Sequence, residues 1–113
     1  MIEVKFWKNK ERGTVNMTMK GHAGTAPKGE DLVCAAATML AYTVAQAIQF
    51  LYESGQLAKK PKIRLVDGNA TIVATPKEDT YAEVLHTFWV VQCGIDVLAH
   101  NYPDAVRLGH ITV

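Results

Sequence analysis

His22 and Cys34 are the side chains best suited by type and setting to covalent chemistry. A cysteine attacks as the thiolate, and a free thiol is mostly protonated near neutral pH. A neighbouring imidazole can take that proton and remain as a stabilising cation. His22 follows an alternating segment that ends near Lys20. Cys34 falls in the first turn of a predicted helix, where the helix dipole favours an anion. Between them lie Gly21, Gly24, Pro27 and Gly29, with no apolar period, which is the composition of a mobile loop. Gly21, Ala23, Gly24 and Gly29 are therefore expected to belong to a segment that opens for a peptide and closes over it.

Asp31, three residues before Cys34, supports this pair in one of two ways. It can cap the backbone N–H groups around Cys34, or it can pair with His22; the spacing leaves both open. Ala35 and Ala36 leave room beside the sulfur, and free N–H groups in the first helical turn can receive an oxyanion. A cysteine in an alanine-rich helix is more often a packing residue; the glycine-rich approach and the helix-start position favour chemistry. His22, Asp31 and Cys34 fall short of the four ligands of a structural zinc site, so no metal and no cofactor is expected. His86, His100 and His110 share no ligand spacing. Cys93 reads as a core or interface thiol, and Trp7 and Trp89 as core or dimer contacts.

The elements that must position the pair follow from periodicity. Residues 2–8 and 14–20 alternate in polarity around the turn Glu11-Arg12-Gly13, so they predict a hairpin. A helix is predicted from the Asp31 cap to about Ser54, closed by Gly55. On it Thr38, Tyr42, Gln46, Gln49 and Glu53 draw a narrow polar stripe on an otherwise apolar cylinder, the pattern of a helix buried around most of its circumference. Residues 63–66 and 70–75 read as strands around the turn Asp67-Gly68-Asn69. A second helix runs from about Asp79 to Asn101, with Tyr81, Leu85, Phe88, Val91, Ile95 and Leu98 on one face. Gly94 inside it costs about 1 kcal/mol relative to Ala. Pro103 stops this helix, and residues 105–113 finish as a strand. The order ββαββαβ predicts one α+β domain over residues 1–113, its two helices packed on a mostly antiparallel sheet.

Composition narrows the function. Of 113 residues, 49% are hydrophobic and 20% charged, enough for one core. A chain of this size buries only about two-thirds of its unfolded surface, so self-association would help it. The formal net charge is +1, which argues against direct nucleic-acid binding; Lys59, Lys60 and Lys62 read as a solvated loop. The alternating start, Met1-Ile2-Glu3-Val4-Lys5-Phe6-Trp7, is not a signal peptide. The apolar stretch from Leu32 to Leu51 is broken by Thr38, Thr43, Gln46 and Gln49, and no membrane partner is expected. Two distant cysteines with no CxxC pair fit a reduced, cytoplasmic setting.

Gly21-His22-Ala23-Gly24, then Gly29, then Asp31-Leu32-Val33-Cys34-Ala35-Ala36 resembles the ribosomal-processing cysteine protease family called Prp, and the element order and the Tyr102-Pro103 ending extend the resemblance over nearly the whole chain. The resemblance implies a bacterial homodimer that removes the N-terminal extension of large-subunit ribosomal protein number twenty-seven, cutting after a short motif that ends in paired aromatic residues. It implies a catalytic pair at His22 and Cys34 and movement of residues 22–30 on substrate binding. One departure is Thr38 where the family carries Ser, which keeps a hydroxyl beside the pocket; Ala37 is smaller than the usual Val. The competing reading is a non-catalytic ribosome-assembly or peptide-binding factor in which Cys34 is merely buried.

Overall fold

The computed structural model describes residues 1–27 and 29–111. Strands β1 (Ile2–Asn9) and β2 (Thr14–Gly21) form the expected hairpin. Helix α1 (Leu32–Glu53) follows, then the hairpin β3 (Lys62–Val66) and β4 (Asn69–Ala74). A single 3₁₀ turn, Glu78–Thr80, leads into helix α2 (Tyr81–Asn101), and β5 (Val106–Ile111) completes the chain. The order is ββαββαβ, and the five strands make one sheet in the order β3-β4-β2-β1-β5. Three strand pairs are antiparallel. The fourth, β1 with β5, is parallel in the register Ile2↔Val106. Residues 112 and 113 of the predicted last strand lie outside the described residues.

Alternation in the strands sorts the two faces of the sheet. Ile2, Val4, Phe6, Val15, Met17, Met19, Ala70, Ile72 and Ala74 are all buried beneath the helices. From α1 the core receives Val33, Ala37, Ala41, Val44, Ala45 and Ile48, and from α2 Val84, Phe88, Val91 and Ile95. Both helices have the length and apolarity of a membrane-crossing segment, and each lends one face to this core.

The expected burial of α1 around most of its circumference is corrected by the structure. Leu32, Met39, Tyr42 and Phe50 are exposed. The helix is covered on two sides, by the sheet and by α2, and the third side, which includes the polar stripe, stays open. Sequence periodicity could not count the covering layers. Two further corrections concern α2. Its buried face includes Val84, and Tyr81 is exposed at the helix start. The Thr80 hydroxyl donates to the Gln56 carbonyl at 2.7 Å and so anchors that start. Trp89 is 55% exposed and Cys93 is exposed, so neither is a core residue; the Trp89 ring stacks on His86 at 5.5 Å. The predicted cost of Gly94 has a reason in packing. A Cβ there would meet the Leu40 side chain of α1 at 2.8 Å, so the bare backbone lets the two helices approach closely.

Gly21 is the tightest point of the sheet. It pairs with Ile2, its N–H donates to the Gly68 carbonyl at 3.0 Å, and its φ is +98°. A Cβ there would run into the Met1 carbonyl oxygen. The position thus excludes a side chain both by conformation and by space. Gly21→Ala is expected to destabilise the protein by about 1–3 kcal/mol, the cost of a strained backbone conformation. Urea titration should show a lower midpoint with an unchanged slope; an unchanged midpoint would mean that the turn relaxes freely.

Candidate active site

The site gathers at one end of the sheet, where three segments meet. β2 ends at Gly21 and delivers His22, whose carbonyl accepts a hydrogen bond from the Met1 amino group. The β3–β4 turn, Asp67-Gly68, lies alongside because Lys20 pairs with Asn69 across β2 and β4. Helix α1 begins at Leu32 and carries Cys34 in its first turn. Two adjoining hollows of about 260 and 560 Å³ open here, and His22, Cys34, Thr38, Tyr42 and Asp67 line both. Gly21 and Gly68 contribute to the first, and Gly24, Gly29, Asp31 and Ala35 to the second. Two side chains from separate elements, an imidazole and a half-buried thiol, therefore face shared space. No hydrogen bond joins them among the described residues.

Asp31 acts as the helix cap. Its Oδ1 accepts from the Cys34 N–H at 2.9 Å and from the Thr25 hydroxyl at 2.7 Å, and its Oδ2 accepts from the Thr25 N–H at 2.9 Å. These bonds resolve the two roles left open by the spacing: the carboxylate holds the helix start and the loop rather than His22. The bond from Cys34, followed by that from the Thr25 hydroxyl, lowers the Asp31 pKa from 3.8 to about 2. Because the Cys34 N–H is taken by Asp31 and the Ala35 N–H by the Asp31 carbonyl at 3.0 Å, neither is free for an oxyanion, contrary to the expectation of an open first turn. The N–H groups of Leu32 and Val33 remain without a hydrogen bond among the described residues.

Several residues of the glycine-rich segment make defined contacts. Gly21 belongs to β2, and Ala23 is buried in the core. Thr25 is held by Asp31, and Glu30 N–H donates to the Pro27 carbonyl at 2.9 Å. Gly24 and Gly29 have φ of +70° and +90° with open space where a Cβ would stand, so they serve conformation rather than close packing. Thr38 is exposed on the rim of both hollows, one helical turn beyond Cys34.

Asp67 and Gly68 are lining residues that sequence reasoning did not place in the site. A Cβ on Gly68 would lie 2.8 Å from His22 Nε2, so this glycine keeps room for the imidazole as well as forming the turn at φ +71°. The Asp-Gly pair was legible only as a hairpin signal. Its nearness to His22 depends on the register between β2 and β4. A separate hollow of about 430 Å³, lined by Phe6, Trp7, Val15, Leu85, His86 and Trp89 among others, contains no cysteine, serine or threonine and lies apart from this cleft.

The lowered Asp31 pKa fixes a pH dependence. A carboxylate whose pKa falls on folding stabilises the native state above its unfolded value of 3.8, and that contribution is lost as the pH drops through about 2. Asp31→Ala is therefore expected to lower the urea midpoint near neutral pH, with the difference from the parent shrinking in strong acid. A difference that stays constant down to the lowered pKa would show that the carboxylate charge does not hold the helix start.

Comparisons with known proteins give the family and the fold. The chain matches the family model described as cysteine protease Prp over residues 1–107. No curated protein matches it. Among solved structures, it is similar to the essential ribosomal processing protease Prp from S. aureus in complex with a covalently linked product peptide, at 25% identity and a TM-score of 0.75, covering 98% of this chain and all of that one. It is also similar to SMU.848 from Streptococcus mutans, at 26% identity and a TM-score of 0.70, covering all of this chain and 96% of that one. The S. aureus protease in complex with a substrate peptide shares the fold at 23% identity and a TM-score of 0.68, with 98% and 100% covered. An imidazole and a thiol facing one cleft, on a fold shared throughout its length with these structures, belong to a chain that is a member of the cysteine protease Prp family.

Proposed function

We propose that this protease processes a ribosomal protein, removing the N-terminal extension of large-subunit protein number twenty-seven, with Cys34 as nucleophile and His22 as base. The observation that carries the reading is the shared cleft: His22, at the end of β2 where Gly21 bonds to the β3–β4 turn, and Cys34, at the α1 start capped by Asp31, line the same space. The S. aureus relatives with product and substrate peptides support a peptide as the ligand of such a cleft.

His22 takes the thiol proton, and the Cys34 sulfur attacks the scissile carbonyl carbon. The oxyanion so formed lies near the start of α1, where the Leu32 and Val33 N–H groups and the helix dipole favour negative charge. When the C–N bond breaks, the imidazolium gives its proton to the leaving amine, and the acyl group stays on sulfur as a thioester. Water then attacks the thioester carbonyl, with His22 accepting its proton. The carboxylate product leaves and the thiol is restored. Asp31 takes no proton in this cycle; it keeps Cys34 at the helix start by holding the backbone N–H.

The protein functions in the cytoplasm as a homodimer in this reading. The open side of α1 supports the second part. Met39, Tyr42 and Phe50, with Pro61, Ile63 and Leu65, line an apolar groove of about 860 Å³ on the surface, more apolar exposure than a lone helix face needs.

Three outcomes test the proposal. Incubated with the extended ribosomal protein of its host, the protein should yield two fragments whose masses locate a single cut. Cys34→Ala should fold normally, since Ala suits a helix, and slow that cut by about a thousandfold or more, as loss of a nucleophile does in other hydrolases. Turnover at the parent rate by this variant rules out Cys34 as nucleophile. Light scattering at micromolar concentration should give twice the 12.4 kDa chain mass; an active monomer would remove the dimer from the reading.

A further inference from the structure

The sheet face turned away from the helices carries a charge pattern that net charge conceals. Period-two alternation places Lys5, Lys20, Lys62, Arg64 and Arg107 on this face, and all five are exposed. Its acid is Glu3, 3.7 Å from Arg107. The face therefore holds five cations against one carboxylate, a net of +4. The chain as a whole has +1, so the remainder carries 1 − 4, or −3. A separation of this size is an electrostatic footprint rather than an even coat of solubilising charge.

The registers give the pattern a geometry. Lys5 stands opposite Thr18, Thr18 opposite Thr71, and Thr71 opposite Arg64, so one row across four strands has a cation at each end and hydroxyls between. Lys20 and Arg107 both oppose or flank Glu3 and are diagonal neighbours of Lys5, about 7–8 Å from it. Gly109, opposite Lys5 on β5, adds no side chain to the surface there. Thr18 and Thr71 are half-exposed, and their hydroxyls make no hydrogen bond within the described residues. By the same alternation Trp7, half-exposed, falls on this face two residues beyond Lys5, at its border with the hollow against α2.

We infer that this open sheet face binds single-stranded RNA. Phosphates meet the cations, the free threonine hydroxyls reach ribose 2′-hydroxyls, and Trp7 provides a surface on which a base can stack. A sheet five strands wide is too broad for a duplex groove about 12 Å across, which favours a single strand over a double helix. The inference stands on charge and register and does not depend on the proposed substrate or catalytic pair.

The test is fluorescence anisotropy with a labelled, unstructured RNA oligonucleotide and the full chain. Binding is expected at low salt, with log K falling linearly against log salt at a slope of about −2 to −3.5 for three to five phosphates engaged. Lys5→Glu with Arg64→Glu should weaken binding at least about tenfold and flatten the slope by about one or more. Lys5→Gln with Arg64→Gln, which avoids introducing acids into the sheet, should weaken it in the same direction. Arg12→Glu with Lys77→Glu changes net charge by the same amount away from the face and should leave affinity within about twofold. Melting temperatures establish that each variant is folded. Absence of binding at low salt, equal loss in the Arg12/Lys77 variant, or equal affinity for a DNA strand or an RNA duplex would each overturn the inference.

Discussion

The Asp31 carboxylate joins the two halves of the cleft. Its bond to the Cys34 N–H starts α1 at a fixed residue, and its bonds to Thr25 draw the preceding loop onto the helix end. A helix start leaves backbone donors unsatisfied, and a glycine-rich approach has little conformational preference of its own. One ionised side chain answers both needs. The orientation of Cys34 toward His22 follows from it, because a helix that began a residue earlier or later would turn the sulfur by about 100°.

Much of this was legible in the sequence because the signals were local. The Asp31 cap, the alternation in β1 and β2, and the Asp67-Gly68 turn each depend on a few adjacent residues, and each formed where expected. What sequence reasoning missed required two distant segments at once. The parallel pairing of β5 with β1, the place of Gly68 under His22 and the open side of α1 are consequences of register and layer count, which periodicity along one segment does not encode. The surroundings of Gly21 and Ala23 were not legible for a related reason: the end of β2 beside Met1 and the burial of Ala23 depend on segments distant in the chain.

The two sheet faces divide the molecule's chemistry. One is covered by helices and ends in a cleft lined by His22 and Cys34. The other is open and collects cations whose partners in the charge balance lie elsewhere. The small net charge of the whole chain conceals this distribution. Alternate residues of four strands share a surface only once their registers are set.

The β1–β5 pairing also bears on how the protein is made. β1 is synthesised before every other strand of the sheet, yet its outer edge is completed by Val106–Ile111. Until those residues emerge from the translating ribosome, β1 has an unpaired edge, and Ile2 lacks the Ala105 carbonyl that its N–H meets at 2.7 Å. Pairings so distant in the chain close slowly. The sheet that carries the cleft therefore stays incomplete from the synthesis of β1 until that of β5.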